Sequence, residues 1–133
     1  MTKQTINPPQ LFNSLQYGFS QIVVSQGTRR IHISGQVAWD ASGHIVGKDD
    51  LKTQTVEALK NLRTAIEIAG GSLNDIVALR IYIVQSVISQ SAPIREGLQA
   101  FFPTDPPVST WIGVTSLAND DFLIEIEAEA VLD

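Results

Sequence analysis

The spacing of apolar residues changes along this chain, and each change predicts an element. Gln21-Ile22-Val23-Val24 is a short β-rich run that Gln26-Gly27 ends. From Arg30 to Val37 the pattern alternates, with Ile31 and Ile33 on one face and His32 and Ser34 on the other, as a half-buried strand requires. Gly27-Thr28 is the natural turn of a hairpin joining these two strands. Gly35, inside the second strand, predicts a bulge or a close backbone approach. A further short strand is expected near Gln4 to Ile6, and Ala41-Ser42-Gly43-His44 reads as a turn.

Between Asp50 and Ala69 the period becomes helical. Leu51, Thr55, Leu59, Leu62, Ile66 and Ala69 recur at threes and fours and make one apolar stripe. Asp49 or Asp50 can cap its start, and Gly70-Gly71 offers the left-handed exit that helix ends favour. Period two returns from Ile76 to Val84: Val77, Leu79, Ile81 and Ile83 point one way, and Ala78, Arg80, Tyr82 and Val84 the other. A second helix is predicted from about Ser89 to Phe102, with Ile94, Leu98 and Phe101 inward, and Pro103-Thr104-Asp105-Pro106-Pro107 stops it. Two strands close the chain, Val108 to Val114 and Phe122 to Leu132, separated by the polar turn Ala118-Asn119-Asp120-Asp121.

The order β-β-β-α-β-α-β-β predicts an α+β two-layer sandwich, a mixed six-stranded sheet with two helices on one face. Two helices cover only one face of such a sheet. The other is expected to carry Tyr82, Val84, Trp111 and Val131 and to pack on other subunits. No linker or repeat divides the chain, so residues 1–133 read as one domain.

Composition narrows the function classes. Nine basic against 14 acidic side chains give a net charge of −5, the wrong sign for electrostatic capture of nucleic-acid phosphates. The absence of cysteine removes disulfides, thiolate metal sites and thiol nucleophiles. No run of about 18 apolar residues predicts a membrane span, and the opening residues have no signal-peptide core, so a cytoplasmic setting is expected.

The last strand carries the clearest candidate chemistry. Glu125, Glu127 and Glu129 sit at i, i+2 and i+4 and share one face, with neighbours about 7 Å apart. Such a ladder repels itself unless water, a cation or hydrogen-bond donors intervene. Glu127 and Glu129 read as a solvated face. Glu125, between Ile124 and Ile126, is the candidate general acid or base. A metal site would need more oxygen ligands than this face supplies, so none is expected. His32 reads as a structural strand residue and His44 as a solvated turn residue. No nucleophile-elbow, zinc-protease, P-loop or dinucleotide motif occurs, so no cofactor is expected either. Ser34 and Gly35 at a strand kink, and Ser109, Thr110 and Trp111 after a rigid proline turn, place hydroxyls and an indole where a ligand can approach.

These segments resemble the RidA/YjgF family, the reactive-intermediate enamine/imine deaminases. The resemblance runs through Gly18-Phe19-Ser20-Gln21, Ile33-Ser34-Gly35-Gln36-Val37, Ala69-Gly70-Gly71-Ser72-Leu73-Asn74-Asp75-Ile76-Val77, Ala100-Phe101-Phe102, Pro106-Pro107, Gly113-Val114 and Ile124-Glu125-Ile126-Glu127-Ala128. It implies a chorismate-mutase-like fold and a homotrimer with ligand clefts between subunits. In deaminating members an arginine grips the substrate carboxylate, and water hydrolyses a C=N bond formed from 2-aminoacrylate-like enamines, releasing ammonia and a 2-keto acid. The matching position here is Ser109, so the likeness is to a branch lacking that arginine. Trp111 stands at a position otherwise cysteine or small, Phe19 at a pocket tyrosine, and Arg95 at an asparagine of the second helix. The pocket serine and glutamate are kept as Ser34 and Glu125.

Two readings follow. In the first, the protein is an enamine/imine deaminase or related C–N hydrolase: Glu125 activates water, Ser34 bonds the substrate, and Phe19, Gly35, Arg95, Ser109, Thr110 and Trp111 line the cleft. In the second, it is a non-catalytic trimer holding a small metabolite. Family members have also been described as ribonucleases, which the acidic charge disfavours.

Overall fold

The computed structural model describes residues 2–133. The chain forms strands β1 (Thr2–Ile6), β2 (Ile22–Gln26) and β3 (Arg29–Gln36), helix α1 (Leu51–Ile68), strand β4 (Ile76–Val84), helix α2 (Ser91–Phe101), and strands β5 (Val108–Val114) and β6 (Ile124–Leu132). Element order and the α+β class agree with the sequence pattern. The strands do not form one continuous sheet. They divide into a two-stranded sheet, β1-β2, and a four-stranded sheet in the order β3-β6-β4-β5.

The division corrects the hairpin expected at Gly27-Thr28. β2 pairs antiparallel with β1, Ile6 opposite Ile22, whereas β3 pairs with β6. Gly27 explains the break. A Cβ there would stand 2.6 Å from both the Leu132 carbonyl oxygen and Val131 Cγ1, so the link between β2 and β3 presses onto the end of β6. Having crossed that end, β3 takes its hydrogen bonds from β6.

The helices cover one face of the four-stranded sheet. Leu59, Leu62 and Ile66 of α1 and Ile94 and Leu98 of α2 meet Leu79, Ile81, Ile83, Ile124 and Ile126 in one core. Asp50 caps α1: its carboxylate accepts from the Thr53 amide at 3.1 Å and the Thr53 hydroxyl at 2.7 Å. These bonds hold its pKa below the ordinary aspartate value. Gly70, at φ +95°, turns the chain out of the helix. Gln54, fully buried, bonds the Gly47 and Asp121 carbonyls and the Leu123 amide, and so ties two loops to α1. No helix among the described residues is long and apolar enough to cross a membrane.

Two side chains face opposite to expectation. A register shift between Ile76 and Ala78 puts Ile76 in the core and leaves Val77 half-buried. Val77 lines a hollow on the other face with Arg30, His32 and Glu129. Trp111, expected on the uncovered face, lies on the helix side, because β5 runs parallel to β4 with Trp111 beside the core residue Ile81.

Candidate functional site

The candidate residues fall into two groups. The first is built on β3 and β6. Ile33 pairs with Ala128 and Gln36 with Ile126, so Ser34 and Gly35 together stand opposite the single residue Glu127. This is the bulge that Gly35 predicted. It brings the backbone against Glu125: a Cβ on Gly35 would lie 1.9 Å from Glu125 Oε2 and 2.6 Å from its carboxyl carbon. Only glycine lets the carboxylate rest there. Ser34 is exposed at the crest of the bulge, and Glu125 is half-buried.

The rest of the carboxylate ladder is held by donors that sequence reasoning passed over. Arg80 and Tyr82 project from β4 onto the same face. The Tyr82 hydroxyl donates to Glu127, and the Arg80 guanidinium lies 3.9 Å from Glu127 and 3.6 Å from Glu129. His32 stands 3.9 Å from Glu129. The hydrogen bond to Glu127, then desolvation, raise the Tyr82 pKa above the ordinary phenol value. The signal was the i, i+2 spacing of Arg80 and Tyr82 on the neighbouring strand, in phase with the glutamates. Among the described residues no group of three His, Asp or Glu could hold a metal ion.

The second group is built on the edge strand β5 and the turn before β2. Ser109 and Trp111 share the helix-side face, and the indole Nε1 donates to Ser109 Oγ at 3.1 Å. Phe19 packs on Trp111 with ring centroids 6.1 Å apart, and Tyr17 meets it edge-on at 6.0 Å. Phe12 continues the row, 5.9 Å from Tyr17. Sequence reasoning missed Tyr17 and Phe12, because Tyr17 ends a 3-10 turn of 4 residues, Ser14–Tyr17, and Phe12 lies in the loop before it, both too short to carry a period. Arg95 is half-buried on α2, its carbonyl oxygen against Gly18. Thr110 is exposed and points to the opposite face, beside Arg80 in the register.

The groups do not meet within one chain. Register alternation puts Glu125 with Tyr82 and Ile112 on one face, and Trp111 with Ile81 and Ile126 on the other. Strand β4 also lies between β6 and β5. A cavity of about 380 Å³, between Thr5, Leu15, Gln99, Phe102 and Asp105, opens elsewhere and is lined by none of the candidate residues.

Residues 13–132 match the family model described as Endoribonuclease L-PSP. The chain belongs to the RidA/YjgF family. A Rid-family protein of unknown function from Yersinia pestis superposes with a TM-score of 0.94 at 41% identity, covering 99% of this chain and all (100%) of that one. RidA from an Antarctic Psychrobacter gives a TM-score of 0.72 at 25% identity, over 86% and 88% of the two chains. A RutC family protein of Pyrococcus horikoshii is 33% identical over 100 residues, 75% of this chain and 77% of the relative.

Proposed function

We propose that this Rid protein is an enamine/imine hydrolase that works in clefts between the subunits of a homotrimer. The contact between Gly35 and Glu125 carries the reading. A carboxylate laid on a glycine bulge, with Ser34 exposed at the crest of the same bulge, is a built place for a water molecule and a C=N carbon. The sheet face bearing it is free of helices, and the second group lies on the opposite face, so a neighbouring copy completes the cleft. Strands β3 and β5 are the edges of the four-stranded sheet, β5 bridged only at Val108 by Ser20, and are where such a copy would meet it.

The chemistry balances without a cofactor. The enamine takes a proton at carbon to give the iminium, and a water oxygen adds to the C=N carbon while Glu125 takes a water proton. Glu125 returns that proton to the carbinolamine nitrogen, the C–N bond breaks, and ammonia leaves as the hydroxyl gives up its proton and the carbonyl forms. Ser34 holds the substrate nitrogen or oxygen during addition. Positioned proton transfer of this kind contributes about 10²–10⁴-fold. RNA is a poor substrate for a chain of net charge −5.

The test is ammonia release from imines generated in situ by an amino-acid oxidase, with semicarbazide trapping the survivors. Turnover above buffer that falls about 10²–10⁴-fold in Glu125→Ala is expected. Turnover equal to buffer, or untouched by that substitution, overturns the proposal. The Ser109 position favours a second reading. A binding trimer without chemistry would hold a ligand in the same cleft, and calorimetry would detect it where ammonia release does not.

A further inference from the structure

Beside Ser109 this chain places a wall of aromatic rings. Ser109 cannot act as a bidentate anion clamp, and one of its lone pairs already accepts the indole N–H of Trp111 at 3.1 Å. That bond fixes the indole over the Ser109 position. Tyr17 at 6.0 Å and 87° and Phe19 at 6.1 Å and 52° hold it from two sides in the edge-on and tilted arrangements aromatic pairs prefer. Phe12 extends the row outward and is 61% exposed.

The wall is neither closed core nor charged. Tyr17, Phe19 and Trp111 each stay half-buried, so ring area remains for a ligand. Among the described residues the one cation over a ring is Arg63, on Phe101 of α2 and apart from this row. The hydroxyl proton of Ser109 is left to donate to a neutral oxygen or nitrogen.

We infer that the cleft selects enamines or imines carrying an aromatic or large apolar side chain, read by Trp111 and its neighbours, and needs no substrate carboxylate. This rests on the hydrolase reading for the place of the substrate. Burying a benzyl group against such a wall predicts kcat/KM about 10–100-fold above that for a methyl group.

The experiment compares three imines made in situ: 2-imino-3-phenylpropanoate, 2-iminopropanoate, and the carboxylate-free imine of phenylacetaldehyde. The two phenyl imines should be within a few-fold of each other and well above the methyl one, in line with the size of aromatic contacts. Trp111→Ala should collapse the phenyl-to-methyl ratio toward unity. Phe12→Ala, at an exposed position where folding is not at stake, should lower the ratio less. A methyl preference, a ratio unmoved by both variants, or a strict need for carboxylate that Arg95→Ala abolishes would overturn the inference. If no imine is hydrolysed, the hydrolase reading fails, and calorimetry with 3-phenylpropionamide and propionamide judges the wall by itself. Tighter binding of the phenyl amide, lost in Trp111→Ala, supports it, and equal or absent binding of the two amides overturns it.

Discussion

The bulge at Gly35 and the aromatic row at Trp111 occupy the same sheet on opposite faces, and they are built by opposite means. At the bulge a missing side chain makes room: the absent Cβ lets the Glu125 carboxylate lie on the backbone. At the row, added bulk takes room, with an indole, a phenol and two phenyl rings around a serine that bonds one of them. A site divided in this way can change what it recognises without disturbing what it does to it.

Gly35→Ala probes the first half hardest. The new methyl group collides with the end of a flexible side chain that has an open sheet face to swing into. Activity should therefore fall about 10²-fold, the effect of a displaced catalytic group, while the melting temperature changes little. A large fall in melting temperature with retained activity would mean that the contact is structural. Mixing sharpens the comparison further. Glu125→Ala and Ser109→Trp each spoil a different half and should each be inactive alone. Unfolded together and refolded, they should recover about a quarter of wild-type activity, because random assembly leaves one cleft in four with both halves intact. No recovery from a mixture shown to have exchanged subunits would place both halves' work in a single chain.

The smallest effect belongs to the outer-face network. Tyr82 has a folded pKa above its unfolded value, so its bond to Glu127 contributes below the ordinary phenol value of 10.0 and is lost as pH rises through the raised value. Thermal melts of Tyr82→Phe should show a shallower alkaline decline than wild type. An identical decline would mean that the bond contributes nothing to stability.

Much of the fold was legible because helix and strand periods are local. β4 and β5 begin and end where alternation and proline placement put them, and Asp50 and Gly70 delimit α1. Strand pairing was not legible, since periodicity does not say that β2 turns away from β3 or that β6 enters between β3 and β4. Trp111 was assigned to the wrong face because β5 is apolar on both sides, with Val108, Ile112 and Val114 against Trp111, so only its register with β4 decides. Of the site, the glutamate ladder and the need for glycine at position 35 could be read along single strands. That Gly35 needs to be bare for Glu125 could not, because the two are brought together only by pairing across the sheet.

Strand β6 lies in the interior of the sheet, hydrogen-bonded to β3 on one side and β4 on the other. During synthesis the ribosome must therefore release β6 before any three strands of the main sheet can zip up beyond the β4-β5 pair. Until then β3 and the β6-facing edge of β4 present unpaired backbone. The nascent chain is open to aggregation until β6 has emerged, and a product lacking β6 would go to chaperones and proteases rather than serve as a smaller working protein.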